Sequence, residues 1–257
     1  MERITFPKIG EKHKLAPLLT AEDALSFKYK KIPKLPYKNI AIIYSDKLER
    51  RFVRKLALRK AHRKFPSSRA VNLHVSDSCK MVLVKMGIGA PITALEVEEL
   101  IAMGAKNFII FGSAGGIGHG VYVGDIITPN KALRDEGVSH HYLKNSTFVE
   151  ADKSLFKTIS KVLKENDIQF KSGPTWTSDA PYRETRKERD AYASKGILTI
   201  EMEAAALFAV ARARGARAAA VFAVSDSINK NGNFSGWPKN RSYDILANSA
   251  SLIFKRI

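Results

Sequence analysis

Short, unbroken apolar runs alternate with amphipathic stretches along most of this chain. Residues 39–44 (NIAIIY), 106–111 (KNFIIF) and 218–224 (AAAVFAV) carry no polar alternation, which predicts strands buried on both faces. Further strands are expected at 70–75, 81–86, 123–128 and 197–200. Between them the apolar period is helical. Asp46 reads as a cap, and a basic helix at 47–64 places Leu48, Phe52 and Leu56 on one face. Pro91 suits the first turn of a helix at 92–103. Helices are also expected at 151–165, 183–195, 202–214 (closed by Gly215) and 241–255. Residues 1–38 hold Pro7, Pro17, Pro33 and Pro36 and read as an irregular basic lead.

This alternation predicts an α/β protein with helices on both faces of a mixed, mostly parallel sheet, residues 39–257 forming a single domain. Ligands bind beyond the carboxyl ends of the strands in such sheets. The polar residues just after Phe111, Ile200 and Val224 are therefore the places to look.

Charge and composition narrow the partners. The net charge is +18, and residues 1–64 hold 18 basic against 6 acidic side chains. Such a bias favours anionic partners (phosphate, nucleotides, RNA or acidic lipid), or it is simply a solvated basic face. The single cysteine, Cys79, permits no disulfide within the chain, and no apolar run is long enough to span a membrane. A soluble, cytoplasmic protein without a membrane partner is expected.

Four segments could carry chemistry. Gly112-Ser113-Ala114-Gly115-Gly116 follows a strand; its small residues let backbone N–H groups approach an anion, or it is a tight turn. Glu201-Met202-Glu203 stands at a helix start, where a carboxylate either answers the helix dipole or accepts from a vicinal diol such as that of ribose. Ser225-Asp226 ends the most apolar strand, where Asp226 is either a turn residue or a general acid. His140 and His141 are adjacent and would face opposite sides of a strand; with no Cys or third His at ligand spacing, no metal site is expected.

Together these segments resemble the nucleoside phosphorylase superfamily. The resemblance runs from about Asn39 to Lys255 and rests on Gly87-Ile88-Gly89-Ala90-Pro91, Gly112-Ser113-Ala114-Gly115-Gly116, Val123-Gly124-Asp125, Arg134-Asp135-Glu136-Gly137, Ser178-Asp179-Ala180-Pro181-Tyr182-Arg183-Glu184-Thr185, Glu201-Met202-Glu203-Ala204-Ala205 and Val224-Ser225-Asp226, in the family's order. It implies a three-layer α/β/α sandwich, assembled as a dimer, trimer or hexamer. It also implies roles. Glu203 would bind the ribose hydroxyls with Met202 packed on the sugar. Asp226 would protonate the leaving base, with Ser225 beside it. Gly112 and Ser113 would hold phosphate, and Tyr182 and Ile200 would line the base pocket. No cofactor is implied; the partners are a nucleoside, with a purine preferred, and phosphate as co-substrate.

Two departures from that family's pattern bear on the acceptor. Its Gly-Asp-Pro-x-Arg phosphate loop is replaced by Ser45-Asp46-Lys47-Leu48-Glu49, and Ile110 stands where an arginine precedes the Gly-Ser pair. Arg50, or else Arg51 or Arg54, would then replace the lost charge in a phosphorylase. Alternatively water attacks, activated by Glu49, in a nucleosidase. A third reading is a non-catalytic nucleotide- or RNA-binding protein. Gly236-Trp237-Pro238, before Arg241, reads as a lid or a packing segment.

Overall fold

The computed structural model describes residues 7, 10–61, 72–228, 234–236 and 240–257. In chain order the helices and strands are α1 (Ala21–Lys28), β1 (Asn39–Ile43), α2 (Asp46–Lys55), β2 (Arg59–Lys60), β3 (Asn72–Ser76), β4 (Met81–Lys85), α3 (Ala90–Ala102), β5 (Asn107–Gly116), β6 (Ile126–Asp135), α4 (Ser139–Tyr142), β7 (Phe148–Glu150), α5 (Lys153–Glu165), β8 (Lys171–Ser178), α6 (Arg186–Ser194), β9 (Thr199–Glu201), α7 (Ala204–Ala213), β10 (Arg217–Ile228), β11 (Phe234–Gly236) and α8 (Asn240–Phe254).

One mixed sheet is covered on both faces, giving the three layers. Its alternate side chains feed two cores. Ile40, Ile42, Phe108, Ile110 and Phe222 pack with residues of α3 and α7. Ala41, Ile43, Ile109, Phe111 and Val221 pack with residues of α2, α5 and α8. The continuous apolar runs of the sequence thus follow from burial on both sides. Strands β10, β5, β1 and β4 lie side by side and parallel. Beyond them β10 also pairs with β6, β6 with β8, β8 with β9, and β9 with β5. These pairings return to their starting strand, so β5, β10, β6, β8 and β9 close a ring.

Several expectations change. The lead is not wholly irregular: Thr20 and Asp23 form a reciprocal capping box that starts α1, and Leu25 docks with Ala102 and Met103. Helix α2 stops at Lys55 rather than continuing to 64. Ala57 takes a left-handed conformation (φ +46°), after which β2 pairs with β3; residues 62–64 lie outside the described residues. The glycine-rich segment is no turn, because β5 continues through Gly116 with partners on β10 and β9. Likewise β10 does not end at Ser225-Asp226 but runs on past a register shift between Val224 and Asp226. His140 and His141 lie on the short helix α4, where Arg134's carbonyl and Asn145 engage His140. The strands β7 and β8 have no counterpart in the sequence reading. Trp237 falls outside the described residues.

Candidate active site

A cavity of about 190 Å³ opens at the carboxyl ends of β1 and β5, lined by Tyr44, Ser45, Leu48, Ile88, Gly112, Ser113, Glu201, Met202, Glu203 and Tyr243. Its acidic wall comes from the step between β9 and α7. Glu201 Oε2 accepts from the backbone N–H groups of Glu203 and Ala204 (2.8 and 2.7 Å), and its Oε1 accepts from the Thr177 hydroxyl at 2.5 Å. Thr177 Oγ1 in turn accepts from the N–H of Ala205 at 3.0 Å. The orphan donors of a helix start are thereby satisfied without water. Glu201 is the structural carboxylate of the pair.

Glu203 is held differently. It stands at the N-cap of α7 without capping it. One oxygen, Oε1, accepts from the backbone N–H of Gly89 at 2.8 Å. Burial pushes its carboxyl up to about 8, with the Glu201 charge adding to the shift, and burial raises Glu201 to about 7. The Met202 backbone N–H also favours the charged form; a carboxylate with about four acceptor positions and these two backbone donors retains capacity for a ligand diol.

The opposite wall is polar and small. Gly112 and Ser113 belong to β5, and the Ser113 hydroxyl is hydrogen-bonded by Tyr243 of α8, whose phenol is raised by burial. Burial holds the Tyr44 phenol well above its usual range; its hydroxyl pairs with Thr93 Oγ1 at 3.0 Å. No lysine or arginine is found among the described residues lining the cavity.

Of the residues singled out from the sequence, Gly112, Ser113, Met202 and Glu203 are brought together here. Asp226 and Ile200 meet one step further along β5, where both pair with Gly115. Ser225 donates to Asp226 Oδ1 at 2.5 Å. Glu184 senses the Asp226 and Asp135 charges, which add to the larger effect of burial in raising its carboxyl. Tyr182 is 99% exposed and does not line the cavity. Arg50 is exposed and Arg51 is held by both oxygens of Asp244 at 2.9 Å, so neither lines it. Glu49 turns from the cavity: Oε1 meets His74 Nε2 at 2.8 Å and Oε2 meets Lys85 Nζ at 3.3 Å. Sequence reasoning missed Tyr44, Thr177 and Tyr243; each sits on an ordinary strand or helix pattern and carries no local signal.

Comparison with known proteins agrees with this geometry. The family model described as the phosphorylase superfamily matches residues 39–257, and the chain belongs to that superfamily. A guanosine phosphorylase of Halorubrum lacusprofundi is 32% identical over 152 residues, covering 59% of this chain and 63% of the relative. A purine nucleoside phosphorylase of Shewanella amazonensis is 36% identical over 144 residues, 55% of this chain and 61% of the relative. The chain thus spans less than two thirds of the length of these relatives. The fold is shared with a uridine phosphorylase from Vibrio fischeri (TM-score 0.72, 24% identity, 87% of this chain and 93% of that one).

Proposed function

We propose that this protein cleaves the N-glycosidic bond of a ribonucleoside and passes the ribose to phosphate. The observation that carries this reading is Glu203, a buried carboxyl held only by backbone donors that lines one cavity with Gly112 and Ser113. A ribose fits between them: its 2′- and 3′-hydroxyls donate to Glu203, and Met202 packs on the ring. Cleavage passes through an oxocarbenium-like sugar, which an anion held by Gly112 and Ser113 would stabilise before attacking the anomeric carbon. The base would extend along β5 toward Gly115, where Asp226 gives it a proton as the bond breaks. The phosphorylase names of the relatives support phosphate as acceptor, and the leaning to a purine rests on Asp226 as a donor to a ring nitrogen.

A second reading, hydrolysis, is favoured by one observation: no lysine or arginine among the described residues lines the cavity. A phosphate anion without a charge-assisted partner is held less firmly. The experiment that separates the two is base release from a ribonucleoside with and without phosphate, with the sugar product identified. Ribose 1-phosphate marks the first reading and free ribose the second.

A further inference from the structure

At the end of the sheet opposite the cavity, four parallel neighbouring strands each begin with a cation. Lys38 immediately precedes β1, Lys80 precedes β4 and Lys106 precedes β5, while Arg217 is the first residue of β10. Asn39 is in register with both Met81 and Asn107, so Lys106, Lys38 and Lys80 stand side by side, while Arg217, in register with Asn107, lies one residue further in on the next strand; the spatial order of the row is Arg217, Lys106, Lys38, Lys80. Neighbouring strands lie ~4.8 Å apart, which makes the row about 14 Å long. All four side chains are exposed.

The row is fixed from beneath. Arg217 Nε donates to Asn107 Oδ1 (2.8 Å), Asn107 Nδ2 donates to Asn39 Oδ1 (2.7 Å), and Asn39 Nδ2 donates to the Lys80 carbonyl (3.2 Å). Both asparagines are buried. Backbone bonds repeat the tie: the Arg217 N–H donates to the Lys106 carbonyl and the Lys106 N–H to the Lys38 carbonyl. Two carboxylates nearby are already engaged. Asp77 accepts from Arg59 and the Tyr37 hydroxyl, and Asp152, whose N–H bonds the Ala218 carbonyl, accepts from the Leu155 N–H. Lys30, Lys31 and Lys34, on the segment leading to Lys38, add further exposed positive charge.

We propose that this row binds the phosphate backbone of a single-stranded polynucleotide, at a site separate from the catalytic cavity. Point cations on a rigid line suit a polymer with evenly spaced charges, and backbone contacts of this kind need no base sequence. An anionic membrane surface fits less well, because binding there draws on exposed apolar side chains among the basic ones. Among the described residues, none of the exposed large apolar side chains lies at these four strand starts. Seven Cα steps of extended chain lead from Lys38 to Ser45, about 23 Å, so the two sites do not overlap.

The test is fluorescence anisotropy of a labelled oligouridylate about twelve nucleotides long, with the full-length protein at low salt. Three proteins are compared: wild type, K38E/K80E/K106E, and the charge-matched K157E/K161E/K164E on the exposed side of α5. The row variant is expected to bind at least tenfold more weakly and the α5 variant within about twofold of wild type. The wild-type log–log salt slope is expected near −2.8, from about −0.7 for each of four phosphates. Equal loss in both variants would overturn the proposal, because net charge alone would then explain binding. So would wild-type affinity in the row variant, or row-dependent binding to mixed phosphatidylserine–phosphatidylcholine vesicles without binding of the oligonucleotide. Circular dichroism of each variant confirms folding; should the triple variant unfold, K38Q/K106Q is measured in its place, with weaker binding expected and wild-type affinity again overturning the proposal.

Discussion

The backbone N–H of Gly89 donates to Glu203 Oε1 across 2.8 Å, joining the loop before α3 to the start of α7. Gly89 adopts φ +108°, a conformation that L side chains rarely take. The donor therefore reaches Glu203 only because residue 89 is glycine. Gly89→Ala is expected to cost about 1–3 kcal/mol of backbone strain and to shift that N–H. The measurement is the nucleoside KM beside the melting temperature. A raised KM at assay temperatures where the variant remains folded is expected, and an unchanged KM would separate Gly89 from the ribose site.

The raised carboxyl of Glu203 gives a stability profile of definite sign. Its folded value of about 8 lies above the ordinary 4.5, so between these values the folded state binds more protons than the unfolded chain. The contribution of this group is fullest below about 4.5 and is lost as pH rises toward 8. Glu201, at about 7, acts in the same direction. Thermal unfolding followed from pH 5 to pH 8.5 should show the melting temperature falling, and Glu203→Gln should flatten much of that slope. The same substitution is expected to weaken nucleoside binding at pH 8 by about tenfold or more, consistent with one or two charge-assisted hydrogen bonds lost. Wild-type affinity would refute a role with the diol.

Asp226 is sandwiched between β5 and β11. A Cβ on Gly236 would stand 2.6 Å from both Cα and Cβ of Asp226, and one on Gly115 would stand 3.4 Å from its Oδ2. Gly236→Ala must therefore push the two strands apart at that residue. Turnover is expected to fall roughly a hundredfold or more in Asp226→Asn, in line with loss of a general acid, and by less in Gly236→Ala. Steady-state kinetics with matched unfolding curves distinguishes this from simple destabilisation. Unchanged turnover in Asp226→Asn would remove it as the proton donor.

Much of this arrangement was legible in the sequence, for identifiable reasons. The runs at 39–44, 106–111 and 218–224 are buried on both faces, so their apolar continuity marks them as central strands. Gly112 and Ser113 follow such a run and Met202 and Glu203 follow the shorter one at 197–200, and the family resemblance supplied their roles. The closure of β5, β10, β6, β8 and β9 was not legible. It is a long-range event: β8 carries Lys171, Ser172, Gly173 and Pro174 in its first half, and its pattern does not look like a buried strand. With that ring unseen, Thr177 could not be placed beside Glu201, nor Asp226 beside Gly115. The end of α2 was misplaced because Ala57, an ordinary helix former, takes positive φ here. Arg51 looked available for phosphate until Asp244, 193 residues away, was seen to hold it.

The Glu49 cluster supplies a test of the acceptor. Glu49 lies between His74 and Lys85, and the side chains of Glu49 and Lys85 are each only 12% exposed. Replacing Glu49 by alanine removes the buried partner of His74 and leaves Lys85 with Asp46 alone, and is expected to cost about 1–3 kcal/mol in urea or thermal unfolding. Glu49→Gln keeps the shape. Under the phosphorolysis reading it leaves turnover in saturating phosphate within a few fold of wild type. A loss of activity confined to phosphate-free buffer would instead identify Glu49 as a base that activates water.

The most direct test of the central claim is base release from inosine, adenosine, guanosine and uridine, each with and without phosphate. Release that requires phosphate and yields ribose 1-phosphate is the result expected, with a purine nucleoside the best substrate. Release that is equal without phosphate, yielding free ribose, would contradict phosphate as acceptor. The absence of release from all four would contradict glycosidic cleavage of these nucleosides.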